Sequence, residues 1–135
     1  MQAGGQDMLE NLEADFPEHK RRASGAPHAL DGIRVVDFSH FIAGPLATMI
    51  LADMGAEVIK VEPLGGEGTR RLLGAGSGFF PMFNRNKLSI AIDLHQPAGA
   101  EVARKLAASA DVVIENFKPG TMAKYGLDHA ALSQV

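Results

Sequence analysis

Three short polar clusters carry most of the chemistry this sequence could perform. The first, Asp37-Phe38-Ser39-His40-Phe41-Ile42-Ala43-Gly44-Pro45, leads from an apolar run into a proline. Where a helix starts at such a proline, its unpaired N–H groups and dipole suit a phosphate or a carboxylate. Ala43 and Gly44 are small enough to let a ligand approach the main chain. The second cluster, Phe83-Asn84-Arg85-Asn86-Lys87, sets two amides and two cations in consecutive positions. Arginine grips phosphate oxygens in pairs, and lysine adds a point charge. The third, Glu115-Asn116-Phe117-Lys118-Pro119-Gly120, offers an amide and a ring to an aromatic base, with Lys124 a helical turn beyond Gly120. Taken singly, each is explained as well by a turn, an exposed polar loop or a core aromatic.

Other chemistries are excluded by what is missing. A dinucleotide fingerprint needs three spaced glycines after the first strand; Glu62 ends the second strand, but that triplet is absent. The glycines at 65–68 lack the Lys-Ser/Thr ending of a P-loop. No Gly-x-Ser-x-Gly elbow occurs. His19, His28, His40, His95 and His129 stand without ligand spacing, so no metal site is expected. With no cysteine, disulfides, thiolate ligands and cysteine nucleophiles are out. Asp37, Asp53, Glu57, Glu62, Asp93, Asp111 and Glu115 could act as nucleophile or base, but Asp37, Asp93 and Asp111 fall on strand patterns and read as structural. A net charge of −3 argues against nucleic acid as a partner.

The elements that must position these clusters follow from the apolar pattern. The 135 residues, 46% of them hydrophobic, suffice for one packed domain. Residues 1–27 read as a polar extension; a helix over Asp7 to Arg22, with Met8, Leu9, Leu12 and Phe16 on one side, competes there with a loose leader. Residues 28–135 form the domain. Ile33 to Phe38 predicts a buried strand. A helix follows from Pro45, with Leu46, Met49, Ile50 and Met54 as its apolar stripe and Gly55 at its end. Glu57 to Glu62 is the second strand, residues 63–80 a glycine-rich loop, and Leu88 to Leu94 the third strand. A helix over Pro97 to Ser109 and a strand over Asp111 to Glu115 complete an α/β pattern with a mostly parallel sheet and flanking helices. Ligands settle beyond the carboxyl ends of such strands, here Ser39–Ala43, Glu62–Gly68 and Asn116–Gly120. The longest apolar run, Leu46 to Ala52, is too short for a membrane span, and the acidic leader is no export signal; a soluble cytoplasmic protein is expected.

Four stretches in order resemble the family III CoA transferases, which include formyl-CoA transferase, carnitine CoA-transferase and the α-methylacyl-CoA racemases. They are Leu30 to Ser39 with Ala43-Gly44-Pro45, Leu51 to Glu62, Asn84 to Ile90, and Asp111 to Gly120. The resemblance implies a Rossmann-like large domain, present here in its first part, and two chains threaded as interlocked rings. It implies acyl-CoA and a carboxylic acid as substrates, with coenzyme A a substrate and not a prosthetic group. By motif, His40, Phe41, Ile42 and Ala43 would line the CoA chain; Arg70, Asn84 and Lys87 would lie near pantetheine and phosphates. Asn116 and Phe117 would approach the adenine and Lys124 a phosphate. Formyl-CoA transferase has glutamine where this chain has Ile42 and arginine where it has Pro63, which speaks against formate or oxalate as the acid. The family's mechanism uses an aspartate that attacks the thioester and becomes an aspartyl-CoA thioester; that residue is expected beyond Val135. An acyl-CoA racemase fragment and a non-catalytic CoA-binding module are the alternatives.

Overall fold

The computed structural model describes residues 27–134; the extension and its expected helix lie outside them. Four strands, β1 (Arg34–Asp37), β2 (Glu57–Glu62), β3 (Leu88–Ala91) and β4 (Val112–Ile114), form one parallel sheet in the order β3-β2-β1-β4. Helix α1 (Ala43–Asp53) joins β1 to β2, the short α2 (Phe79–Asn84) precedes β3, and α3 (Pro97–Ala108) joins β3 to β4. A last turn of helix, α4, covers His129–Leu132. The α/β architecture expected from the alternating pattern is present.

Side chains on a strand alternate between faces, and the two faces are built differently. Val36, Phe38, Val61 and Ile92 meet Ala103 and Ala107 of α3, with Met122 and Leu127, in an apolar core. Val35 and Val58 face the other way onto Ala52 and Ala56. On that second face the strands end in buried charge: Asp37, Lys60 and Glu62 are all at most 2% exposed.

Helix α1 departs from expectation in the face it buries. Gly44, Pro45, Thr48, Met49 and Ala52 are buried. Of the expected apolar stripe Met49 is buried, whereas Leu46, Ile50 and Met54 remain 37%, 48% and 42% exposed. Small residues win because they let the helix lie close to the sheet: a Cβ on Gly44 would meet the Ser39 Cβ at 2.2 Å. Gly55 ends the helix as expected, at φ +102°, where a side chain would be strained and would strike His28.

The loop over 63–80 is less irregular than its glycines suggest. It contains 3-10 turns at Gly68–Arg71 and Gly74–Gly76, and its last two residues, Phe79 and Phe80, already belong to α2. The third strand stops at Ala91, three residues before its expected end.

Candidate functional site

The strand order places a topological switch between β1 and β4, where the chain turns back across the sheet. Ligands of open α/β sheets collect in the crevice outside such a point. The loops that leave β1 and β4 meet there through one side chain. Asn116 accepts the His40 N–H on Oδ1 and donates Nδ2 to the His40 carbonyl, both at 2.9 Å. The His40 and Phe117 rings stack with centroids 4.7 Å apart.

A cleft of about 490 Å³ opens beside this junction. The β1 loop lends it Phe38 to Phe41, the end of β2 lends Glu62, and the glycine loop lends Pro63, Glu67 to Thr69 and Leu72. The end of β3 adds Ile92 to His95; Phe117, Thr121, Met122 and Tyr125 close the far side. Its walls are mostly carbon and include no lysine or arginine. Such a cavity suits the uncharged part of a ligand and leaves any phosphate to the rim.

Of the residues singled out in the sequence, His40, Phe41 and Phe117 line this cleft. Ile42 and Ala43 open α1 next to them, and Asn116 braces the His40 loop. Lys124 stands exposed on the 3-10 turn Met122–Tyr125, two of whose residues line the cavity. The rest are committed elsewhere. Lys87 has a side chain only 1% exposed, and Nζ donates to Asp37 Oδ2 at 3.0 Å, the Pro45 carbonyl at 2.9 Å and Asn84 Oδ1 at 2.9 Å. An ammonium has three donors, so none is left for a phosphate. Asn84 is buried, with Nδ2 on the Phe80 carbonyl. Lys87 thus holds the Pro45 carbonyl at the start of α1, and Asn84 holds Lys87.

Arg70 is likewise paired. Its Nε and one terminal nitrogen hold the Glu62 carboxylate at 2.7 and 2.6 Å, and its guanidinium lies 3.6 Å over the Phe80 ring. Burial alone would raise the Glu62 pKa; hydrogen bonds from Arg70, Ser89 and the Glu67 N–H reverse that and hold it at about 2. Asp37 shows the same contest. Burial pushes its carboxyl up, and Lys60, the Ser39 and Thr48 hydroxyls and Lys87 bring it below the ordinary carboxylate range.

Two buried groups complete the site: Lys60, which the sequence reading did not single out, and Glu67, which it included only as part of the Glu62–Gly68 strand-end segment. Lys60, 1% exposed, donates to the Ser39 carbonyl at 2.7 Å and lies 3.2 Å from Glu67 Oε2. Glu67 Oε1 accepts the Phe41 N–H at 2.9 Å and the Thr69 hydroxyl at 2.8 Å. Phe41 has φ +71°, a left-handed conformation that costs a residue with a bulky side chain on the order of 1–3 kcal/mol. The segment Ile92–His95 was also missed. The rule of looking past strand ends would have found it had the third strand been ended at Ala91.

No helix among the described residues is long and apolar enough to cross a membrane, and no cluster of three or more potential metal ligands occurs among them.

Comparison with known proteins identifies the family and bears out the fold. Residues 30–135 match the CoA-transferase family III profile. An acyl-CoA transferase of Fusarium pseudograminearum is 43% identical over 126 residues, 84% of this chain and 28% of that protein. The human succinyl-CoA:glutarate CoA-transferase is 40% identical over 111 residues, 78% of this chain and 25% of its own length. Among solved structures, Rv3272 of Mycobacterium tuberculosis superposes with a TM-score of 0.76 at 45% identity, covering 82% of this chain and 31% of that one. A CAIB/BAIF family protein from Brucella suis gives 0.74 at 42%, over 81% and 31%. The chain thus spans between a quarter and a third of the length of these relatives. With the parallel sheet, the strand-end cleft and the profile in agreement, this chain belongs to CoA-transferase family III.

Proposed function

We propose that this chain is the CoA-holding portion of an enzyme that moves coenzyme A between an acyl-CoA and a carboxylic acid. The observation that carries the reading is the apolar cleft at the β1/β4 switch, walled by His40, Phe41 and Phe117 and edged by Lys124. The pantetheine arm, long and uncharged, fits walls without lysine or arginine. The phosphates then lie at the rim toward Lys124, which is exposed. In this reading Arg70, Asn84 and Lys87 act at one remove, by shaping the loops.

The acyl transfer would pass through an aspartyl anhydride and an aspartyl-CoA thioester, which divide one difficult step into easier ones. Carboxylates at the cleft are poor candidates for that nucleophile. Glu62 is held by Arg70, Glu67 by the Phe41 N–H and Lys60, and Asp93 by His95. The family resemblance puts the attacking aspartate outside this stretch, and the commitments of these three carboxylates are in keeping with that. An interlocked homodimer belongs to this reading, and the exposed Leu46, Ile50 and Met54 give α1 an apolar surface available for burial. The names of the relatives, which are transferases, favour transfer over racemisation.

Calorimetric titration with coenzyme A tests the reading. Asn116→Ala combined with Lys124→Ala should weaken binding at least about tenfold, or about 1.4 kcal/mol, through loss of the His40 brace and a rim cation. Unchanged affinity in the double variant would count against the site, and a wild-type chain that ignores coenzyme A would end the proposal.

A further inference from the structure

Building on the CoA reading, we infer that Glu67 is a positioning residue of the cleft, which fixes its aromatic rim by holding the Phe41 backbone in its left-handed conformation. Three consecutive residues of the β1 loop are gripped through their main chain by three side chains from different parts of the chain. Lys60 of β2 takes the Ser39 carbonyl, Asn116 takes both polar groups of His40, and Glu67 takes the Phe41 N–H. Beyond these, the Ser39 N–H and hydroxyl donate to Asp37 and the His40 ring stacks on Phe117, but no such contact reaches the Phe41 main chain. Main-chain pairing along it stops at the Phe38 N–H on the Ile114 carbonyl and resumes with Leu46 on Ile42.

Packing does not account for the Phe41 conformation. Its side chain is 53% exposed, and its aromatic neighbour is Phe79, edge to face at 6.3 Å. Glu67, by contrast, is anchored through both its main chain and its carboxylate. Its own N–H donates to Glu62 Oε2 at 2.9 Å, and the carboxylate meets Thr69 and Lys60. Glu67 is 6% exposed, so its charge sits in a low-dielectric setting in which hydrogen bonds to it are strong. A strained residue with a half-exposed ring, held by a buried acid at the wall of a cavity, points to a ligand as the purpose of the strain. The rim so fixed faces carbon-rich walls, which makes the uncharged arm of coenzyme A the part it orders.

The test is a double-mutant cycle of Glu67→Ala and Phe41→Gly, read by coenzyme A affinity and by amide hydrogen exchange. Glycine adopts positive φ without strain, so Phe41→Gly removes what Glu67 has to hold. Glu67→Ala should lower affinity about tenfold and speed exchange of the Phe41 amide at least as much, while β1 and α3 amides keep their protection. In the Phe41→Gly background the same change should cost less than twofold in affinity. Additive losses, or a Phe41 amide that exchanges at the wild-type rate, would overturn the assignment. Should Glu67→Ala not fold, Glu67→Gln keeps an acceptor for the Phe41 N–H and must then preserve that amide's protection. If wild type does not bind coenzyme A, the functional reading falls, and Phe41 exchange still decides whether Glu67 holds this backbone.

Discussion

The two faces of the sheet solve the same burial problem with different chemistry. The face under α3 is carbon throughout: Val36, Phe38, Val61 and Ile92 against Ala103, Ala107, Met122 and Leu127. The face under α1 starts with Val35 and Val58 and then turns ionic at the strand ends, where Asp37 and Lys60 are register partners on adjacent strands. There two carboxylates, Asp37 and Glu67, are matched by two ammoniums, Lys60 and Lys87. Apolar burial is tolerant of exact geometry, whereas a buried ion set is stable only with its partners in place. The apolar face therefore serves as the platform, and the ionic face sets the positions of the loops that leave it.

Removing one ion should break this contrast most severely. Asp37→Ala leaves the Lys60 and Lys87 ammoniums, each with a side chain 1% exposed, short of a countercharge. The expected cost is about 3–5 kcal/mol in urea unfolding. A loss below about 1 kcal/mol, the scale of exposed pairs, would make the two faces equivalent.

Acid sharpens the comparison next. Glu62, lowered from 4.5 to about 2 in the fold, contributes stability that is complete above pH 4.5 and is lost as pH falls toward 2. The stability gap between wild type and Glu62→Gln should shrink by about 2 kcal/mol over that window, after allowance for screening at the 41% exposed Arg70. A gap that stays constant with pH would show that the pair does not depress this carboxyl.

The smallest effect belongs to the apolar face. Ile92→Val, at a residue 7% exposed, should cost about 0.5–1.5 kcal/mol. The cost should be the same at acid and neutral pH, because no charge of Ile92 is involved. A cost that varied across the acid range would mean that the faces are coupled.

Much of this could be read from neighbouring residues, and the exceptions are instructive. The β-branched runs at Val35-Val36 and Val58-Ile59 announced strands, and Gly55 announced the end of a helix. The stripe on α1 misled because helical spacing shows that residues share a side without showing which side meets the sheet. Gly44, Thr48 and Ala52 took the contact, and closeness of approach decided it. Within the site, His40, Phe41 and Phe117 were legible because they follow strand ends. Lys87 reads as a phosphate ligand in a sequence that displays charge without its partners, whereas Arg70 was placed near the phosphates by the family resemblance alone. Glu67 looked like one more polar residue of a glycine loop.

Residue order alone determined the element types, their succession and the family, since periodicity and motif spacing are properties of short stretches. Only the folded chain decided which charged groups are consumed by the architecture and which remain for a ligand. Lys87 meets acceptors 3, 42 and 50 residues away, and the Phe41 N–H finds an oxygen 26 residues away. Partnerships of that range depend on the tertiary arrangement, because a buried ion must find its countercharge wherever the fold brings one within reach.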